Sequence, residues 1–407
     1  MDYSKLQDIR EWLVDGARST ATPSEMMDQF CTRLVDLGIP LWRVGVFVRT
    51  LHPDIAGRSF IWRPGAEVEM GTVAFGFESS PTYLNSPLAL VFENGVEFRA
   101  DPRDPQAERF PILMDLRAEG VTDYVSLPLT FIDRAIHAAS WTTRDPDGFA
   151  EEHLGAIRSL IPALARYTEI VTLRRTASML LDTYVGNSAG ELILGGQIRR
   201  GHTDTLDAAI WLSDLRGFTA LSDRLPAEDV VEILNRYFDC QVEPIREQGG
   251  EVLKFMGDGL LAVFPIRKQG GDPTEVCTRV LEAARTARQR VDALEYRTAE
   301  AAEHFRFGVA LHVGPLLYGN IGGGNRLDFT CIGPAVNLAA RLEKIAARLK
   351  RTVVASEAFA GASPAPKSDL WTDLGEFPIA GFSTEQRVFG LREEDAQVSG
   401  SVVNSSG

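Results

Sequence analysis

The sequence predicts an α+β chain of two domains, each a sheet covered by helices, and three observations predict it. Its 407 residues exceed what one ordinary core accommodates. Strand-like and helix-like runs interleave along both halves, as in layered sheet-and-helix folds. A segment rich in glycine and turn residues, YVGNSAGELILGGQIRRGHTD at 184–204, reads as a linker between them.

The elements follow in order. Thr22-Pro23-Ser24-Glu25 has a capping threonine, a proline for the first helical position and a glutamate where a capping box wants one. Met26, Phe30 and Leu34 mark one face of that helix, and Gly38 can end it. Strands are expected at 42–51 and 58–65, and a hairpin over 125–143 turning near Asp133 and Arg134. After the turn DPDG, residues to 182 become helical, with Leu154, Ile157, Ile161, Leu164 and Val171 at heptad a/d positions. That stripe suits a helix paired with its twin or one packed on its own domain; Thr168 and Arg175 break the seam, and Pro162 should kink it. Beyond the linker come strands at 208–213, 250–256 and 259–265, a helix from Asp272-Pro273 toward Arg290, and a strand at 305–314. The expected division is 1–183, a linker at 184–204, a second domain at 205–392, and a disordered polar tail at 393–407.

Composition narrows the function. With 44% hydrophobic and 24% charged residues the chain is of ordinary globular type. A net charge of -14 argues against a nucleic-acid partner held through its phosphate backbone. Cys31, Cys240, Cys277 and Cys331 are widely separated, and neither a disulfide framework nor a zinc site is indicated. The six histidines include no pair at helical ligand spacing, and His312, alternating with apolar residues, reads as structural. No apolar run reaches the roughly 18 residues that span a bilayer. The charged N-terminus lacks an export segment, so the expectation is a cytoplasmic protein without a membrane partner.

Two short stretches carry chemistry. In SDLRGFT, Asp214 ends an apolar run, and the N-H groups of Gly217, Phe218 and Thr219 should point toward the same space as its carboxylate. In KFMGDG, Asp258 sits in a tight hairpin whose glycines permit positive φ. Singly they read as a helix cap and a turn residue; together they offer two carboxylates for a pair of magnesium ions beside phosphates. In a run of helix formers, Asn337 and Arg341 share one face, beside an apolar stripe of Leu338, Leu342 and Ile345. Arginine has the fork for phosphate oxygens, and asparagine can hold a sugar oxygen. GGGNR at 322–326 lacks the lysine and Ser/Thr of a P-loop and fits a hairpin turn.

WLSDLRGFTALSD, GGEVLKFMGDGLLAVFP, GVALHVGPLLYGNIG and IGPAVNLAARLE, in this order, resemble the catalytic domain of class III adenylate and guanylate cyclases over about 205–392. The resemblance implies a ferredoxin-like palm and a head-to-tail homodimer with its active sites at the interface. It implies Asp214 and Asp258 as ligands of two Mg2+ or Mn2+ ions per site, and Asn337 and Arg341 as the pair that stabilises the transition state. Lys254 matches the base-selecting lysine and Thr330 its partner; this pair suits adenine, hence ATP as substrate and cyclic AMP and pyrophosphate as products. Asp214 and Asp258 would come from one protomer and the other four residues from its twin. Ala380 stands where a triphosphate-binding lysine is usual, which should weaken substrate binding unless Arg387 or a partner group substitutes. The alternatives are a guanylate cyclase, which Lys254 and Thr330 count against, and a catalytically weak nucleotide-binding module.

Residues 20–165 are similar in pattern to GAF sensory domains, with a capped helix, several strands, a late hairpin and a closing helix. That implies a regulatory role, through a small-molecule ligand or through dimerisation.

Overall fold

A computed structural model describes residues 1–266, 271–297, 302–323, 326–363 and 367–394. The chain divides into two compact units, Met1–Leu180 and Leu181–Gly407. In the first, a helix at Tyr3–Val14, capped by Asp2, precedes the expected helix at Pro23–Asp36, whose Thr22 hydroxyl accepts from Glu25 N at 3.2 Å. The strands are β1 (Arg43–Arg49), β2 (Ile55–Trp62), β3 (Glu69–Ala74), β4 (Phe98–Ala100), β5 (Asp123–Thr130) and β6 (Ile136–Thr143). They form one antiparallel sheet in the order β3-β2-β1-β6-β5-β4. The β5–β6 hairpin turns where expected, with Arg134 at φ +68°. Short helices at Pro87–Asn94 and Pro111–Ala118, each opened by proline, fill the stretch between β3 and β5 that sequence reading left unassigned.

The helix at Glu151–Val185 runs through Pro162 without interruption, although a proline there removes one helical hydrogen bond. Leu154, Ile157, Leu160 and Leu164 are buried against Val44, Val46, Val125 and Trp141. Its first half is therefore an amphipathic helix packed on its own sheet, the second of the two sequence alternatives.

In the second unit the strands are β7 (Thr203–Leu215), β8 (Glu251–Met256), β9 (Gly259–Ile266), β10 (Glu295–Arg297), β11 (Ala302–His304), β12 (Phe307–Gly323), β13 (Arg326–Ile332), β14 (Val353–Ser356), β15 (Trp371–Phe377) and β16 (Gln386–Leu391). The main sheet runs β15-β16-β14-β12-β7-β9-β8, with β13 paired to β12, while β10 and β11 pair separately. Helices at Ala227–Glu247 and Pro273–Asp292 follow β7 and β9. The inner order β12-β7-β9-β8 is thus that of a β-α-β-β-α-β ferredoxin-like unit.

Alternation along β7 splits the core. Ala209, Trp211 and Leu215 face one cluster with Phe264 and Val280. Ala208, Ile210 and Leu212 face another with Tyr318, Phe329 and Ala339.

Two boundary readings need correction. Residues Asn187–Leu194 of the expected linker form a helix whose Ala189 is buried beside Ile210 and Leu253, because ELIL and the small residues before it make an apolar face. Glu393 and Glu394, placed in the expected tail, are anchored. Glu394 is buried and accepts from Thr352 N at 3.1 Å and Val353 N at 2.8 Å, satisfying backbone donors where β14 begins. The remaining tail residues, 395–407, lie outside the described residues, as do Gly324 and Asn325 of GGGNR, on either side of which Gly323 pairs with Arg326. No described helix is long and apolar enough to cross a membrane.

Candidate active site

Asp214 is the last polar residue of β7, and its register partners are Gly259 on β9 and Gly308 on β12. Asp258 occupies a two-residue turn between Met256 and Gly259. Only the first glycine of GDG serves the turn by conformation, with Gly257 at φ +68°. Gly259 serves by size: a Cβ there would lie 3.0 Å from the Ser213 carbonyl oxygen and 3.5 Å from Asp214 Oδ1. This close approach brings the two half-buried carboxyls within hydrogen-bonding reach. Burial, then the negative charges of Asp258 and Glu343, push the Asp214 carboxyl up to about 6, and Arg216 partly offsets them.

Converging carboxylates of this kind fit a hard divalent cation. Among the described residues no cluster of three or more His, Cys, Asp or Glu side chains could hold a metal. Two carboxylates thus leave most of a coordination sphere for phosphate oxygens and water. Gly217, at φ +76°, opens the short helix Phe218–Ser222, and the first-turn N-H groups of Phe218 and Thr219 have no intrahelical acceptor.

Arg216, two residues beyond Asp214, was not singled out from sequence. Its Nη1 donates to Glu343 Oε1 at 2.5 Å, in a pair whose side chains are only 20% and 9% exposed. The guanidinium lies over Gly308, where a Cβ would sit 1.7 Å from Nη2. Glu343 belongs to the helix Pro334–Leu349, which carries Asn337 and Arg341 on its exposed face and buries Leu338, Leu342 and Ile345. The ion pair therefore ties the loop after the first aspartate to that helix.

Lys254, on β8, forms an ion pair with Asp328 on β13. Asp328 and Thr330 lie two apart on the exposed side of β13, while Phe329 and Cys331 point inward. Lys254, Asp328 and Thr330 thus gather in one place. Asp328 is a second residue that sequence reading missed, and its signal was the alternation DFT itself. Ala380 is exposed in a turn, and Arg387, the candidate substitute, donates to Asp373 on the adjacent strand, at 2.9 Å through Nε. That engagement leaves Arg387 poorly placed to replace a lysine.

Residues 202–389 match the model of the adenylate and guanylate cyclase catalytic domain. A terminal-differentiation-specific adenylate cyclase of Dictyostelium discoideum is 30% identical over 141 residues, 33% of this chain and 6% of the relative. An adenylate cyclase of Anabaena cylindrica is 28% identical over 176 residues, 42% of this chain and 34% of the relative. The solved adenylyl cyclase CyaB from P. aeruginosa is 25% identical with a TM-score of 0.38, covering 47% of this chain and 95% of its own. The chain thus spans about a third or less of the length of these curated relatives. The family match lies within the second unit, where residues 202–389 are similar to the adenylate and guanylate cyclase catalytic domain.

Proposed function

We propose that the protein is an adenylate cyclase, working as a homodimer and converting ATP to 3',5'-cyclic AMP and pyrophosphate. The observation that carries the reading is the convergence of Asp214 and Asp258 at adjoining strand ends. These two would hold the divalent ions, Mg2+ or Mn2+, which when bound polarise the ribose hydroxyl and neutralise phosphate charge. Asn337 and Arg341 of the partner protomer would orient the ribose and hold the phosphate oxygens as charge builds at the α-phosphorus. The first-turn N-H groups beyond Gly217 would donate to phosphate oxygens.

The adenine preference rests on Lys254 and Thr330. The ammonium can donate to ring N1, and the hydroxyl can accept from the exocyclic amine. Asp328 would hold Lys254 in place until the base arrives. The names of the Dictyostelium and Anabaena relatives agree with this choice. We read the first unit as a GAF-like regulatory domain, supported by its six-stranded antiparallel sheet and closing helix. A cytoplasmic location is part of the same proposal.

Full-length protein assayed with ATP beside GTP, in Mg2+ and in Mn2+, tests the substrate. Cyclic AMP should dominate; a preference for GTP overturns the base reading, and no product from either, with ATP still bound, replaces the enzyme by a nucleotide-binding module. Mixing Asp214→Ala with Asn337→Ala protomers should restore one site per dimer, and no recovery in the mixture refutes the shared site.

A further inference from the structure

A cavity lies in the first unit, lined by none of the residues assigned to the cyclase chemistry. It occupies about 780 Å3, its open mouth included, within the size range of small-molecule sites. Its walls come from the helix Pro23–Asp36, strands β1 and β2, and residues 167–179 of the long helix. Met26, Met27, Val46 and Phe60 give it an apolar floor.

Three polar features of the lining lack partners. Arg58, opposite Val48 in the β1–β2 register, and Arg175 on the helix both line the cavity. Among the described residues neither has a carboxylate partner, and Arg175's charge adds to burial in holding the Arg58 guanidinium below its usual value. Arg58 is part-buried and Arg175 exposed, so the two guanidiniums stand at the mouth of an apolar wall with donors that an anion could bridge. The Thr50 hydroxyl, also in the lining, is buried without a hydrogen-bond partner.

We propose that this cavity binds a small amphipathic anion, its carboxylate or phosphate head between Arg58 and Arg175 and its apolar body on Met26, Met27, Val46 and Phe60. Thr50 supplies a further donor to the head. The ligand lies along residues 167–179 of the helix that continues to Val185, so occupancy stiffens the stretch leading out of the first unit. Binding is independent of the catalytic reading.

Calorimetric titration of the full chain with sodium decanoate tests this, with decyl phosphate as the alternative head and decan-1-ol as the neutral arm. Saturable binding of one decanoate or decyl phosphate per chain is expected, with decan-1-ol at least about ten-fold weaker, as the loss of one charge-assisted hydrogen bond implies. The double variant Arg58→Gln, Arg175→Gln should lose about ten-fold to a hundred-fold in anion affinity and nothing for decan-1-ol. Thr50→Val, a near-isostere, should fold as well as the parent and bind the anion several-fold less tightly. No saturable anion binding, equal affinity of the double variant, or decan-1-ol matching decanoate overturns the proposal. So does capture by phosphatidylglycerol vesicles without binding of either free amphiphile, which would assign the arginines to a membrane surface.

Discussion

Replacing Glu343 by glutamine should destabilise the catalytic unit far more than its distance from substrate chemistry suggests. Arg216 and Glu343 are 20% and 9% exposed, so removing the Glu343 charge leaves a largely buried guanidinium with only the half-buried Asp214 to offset it. Breaking such a pair costs about 3–5 kcal/mol. For a unit of this size, each kcal/mol is worth roughly 2–4 °C, which places the expected fall in Tm near 10 °C. Arg216→Met should cost a similar amount by stranding Glu343. Gly308→Ala should approach it, because a Cβ 1.7 Å from Arg216 Nη2 forces the guanidinium away from its partner. The double variant Arg216→Met, Glu343→Leu should recover most of the loss, since an apolar pair of similar volume is often as stable as a buried ion pair. Scanning calorimetry of the four variants and the parent provides the comparison. If Glu343→Gln melts within about 2 °C of the parent, less than the shift expected for 1 kcal/mol, the pair is solvated in solution and the reasoning fails.

Burial lowers both His137 and His312 to about 4 from the ordinary 6.5. Between those values the unfolded chain binds the proton and the folded chain does not, so stability falls as pH drops from about 6.5 to 4 and levels off below. Each histidine should cost its own unit about 2 kcal/mol between pH 7 and pH 5 by urea unfolding, and a flat profile would contradict the burial argument. His137 Nδ1 accepts from Arg49 N at 3.0 Å, so protonation there also sets two donors against each other. Gly259→Ala should lose about 1–3 kcal/mol, measured by urea midpoint, because its Cβ presses on the Ser213 carbonyl oxygen at 3.0 Å. Asp328→Asn should leave stability within about 1 kcal/mol, since the pair with Lys254 is exposed, yet lower the KM for ATP by freeing the ammonium. A raised KM would show instead that Asp328 is needed to aim Lys254.

Local chemistry made much of this legible. Apolar runs bounded by glycine placed β7, β8, β9 and the start of β12, and Thr22-Pro23 placed a helix, because those signals act within a few residues. Asp214 and Asp258 could be paired by their chemistry and by the resemblance but not by their approach, as nothing in the 43 intervening positions states that Gly259 lets one strand approach the other. Arg216 and Glu343 meet across 127 positions, and Lys254 and Asp328 across 74, so both pairs are products of sheet order. The short Asn187–Leu194 helix was hidden for a different reason. Its glycine and serine content carries a turn signal that tertiary burial of Ala189 overrides.

In the sheet, β7 and β9 separate β12 from β8, yet a side chain of β8 touches β13, which among the described residues pairs with β12. The β12–β13 arm must therefore arch across two strands, laying Tyr318 and Phe329 over Ile210 and Leu261. The Lys254–Asp328 contact is the clasp that fastens this arm on its far side. Under the proposed base reading, a base that recruits the Lys254 ammonium would do so in competition with Asp328, so the step that reads the nucleotide would also release this contact. Recognition and release of this contact would then be one event, and a nucleotide without a suitable ring acceptor would leave the clasp shut.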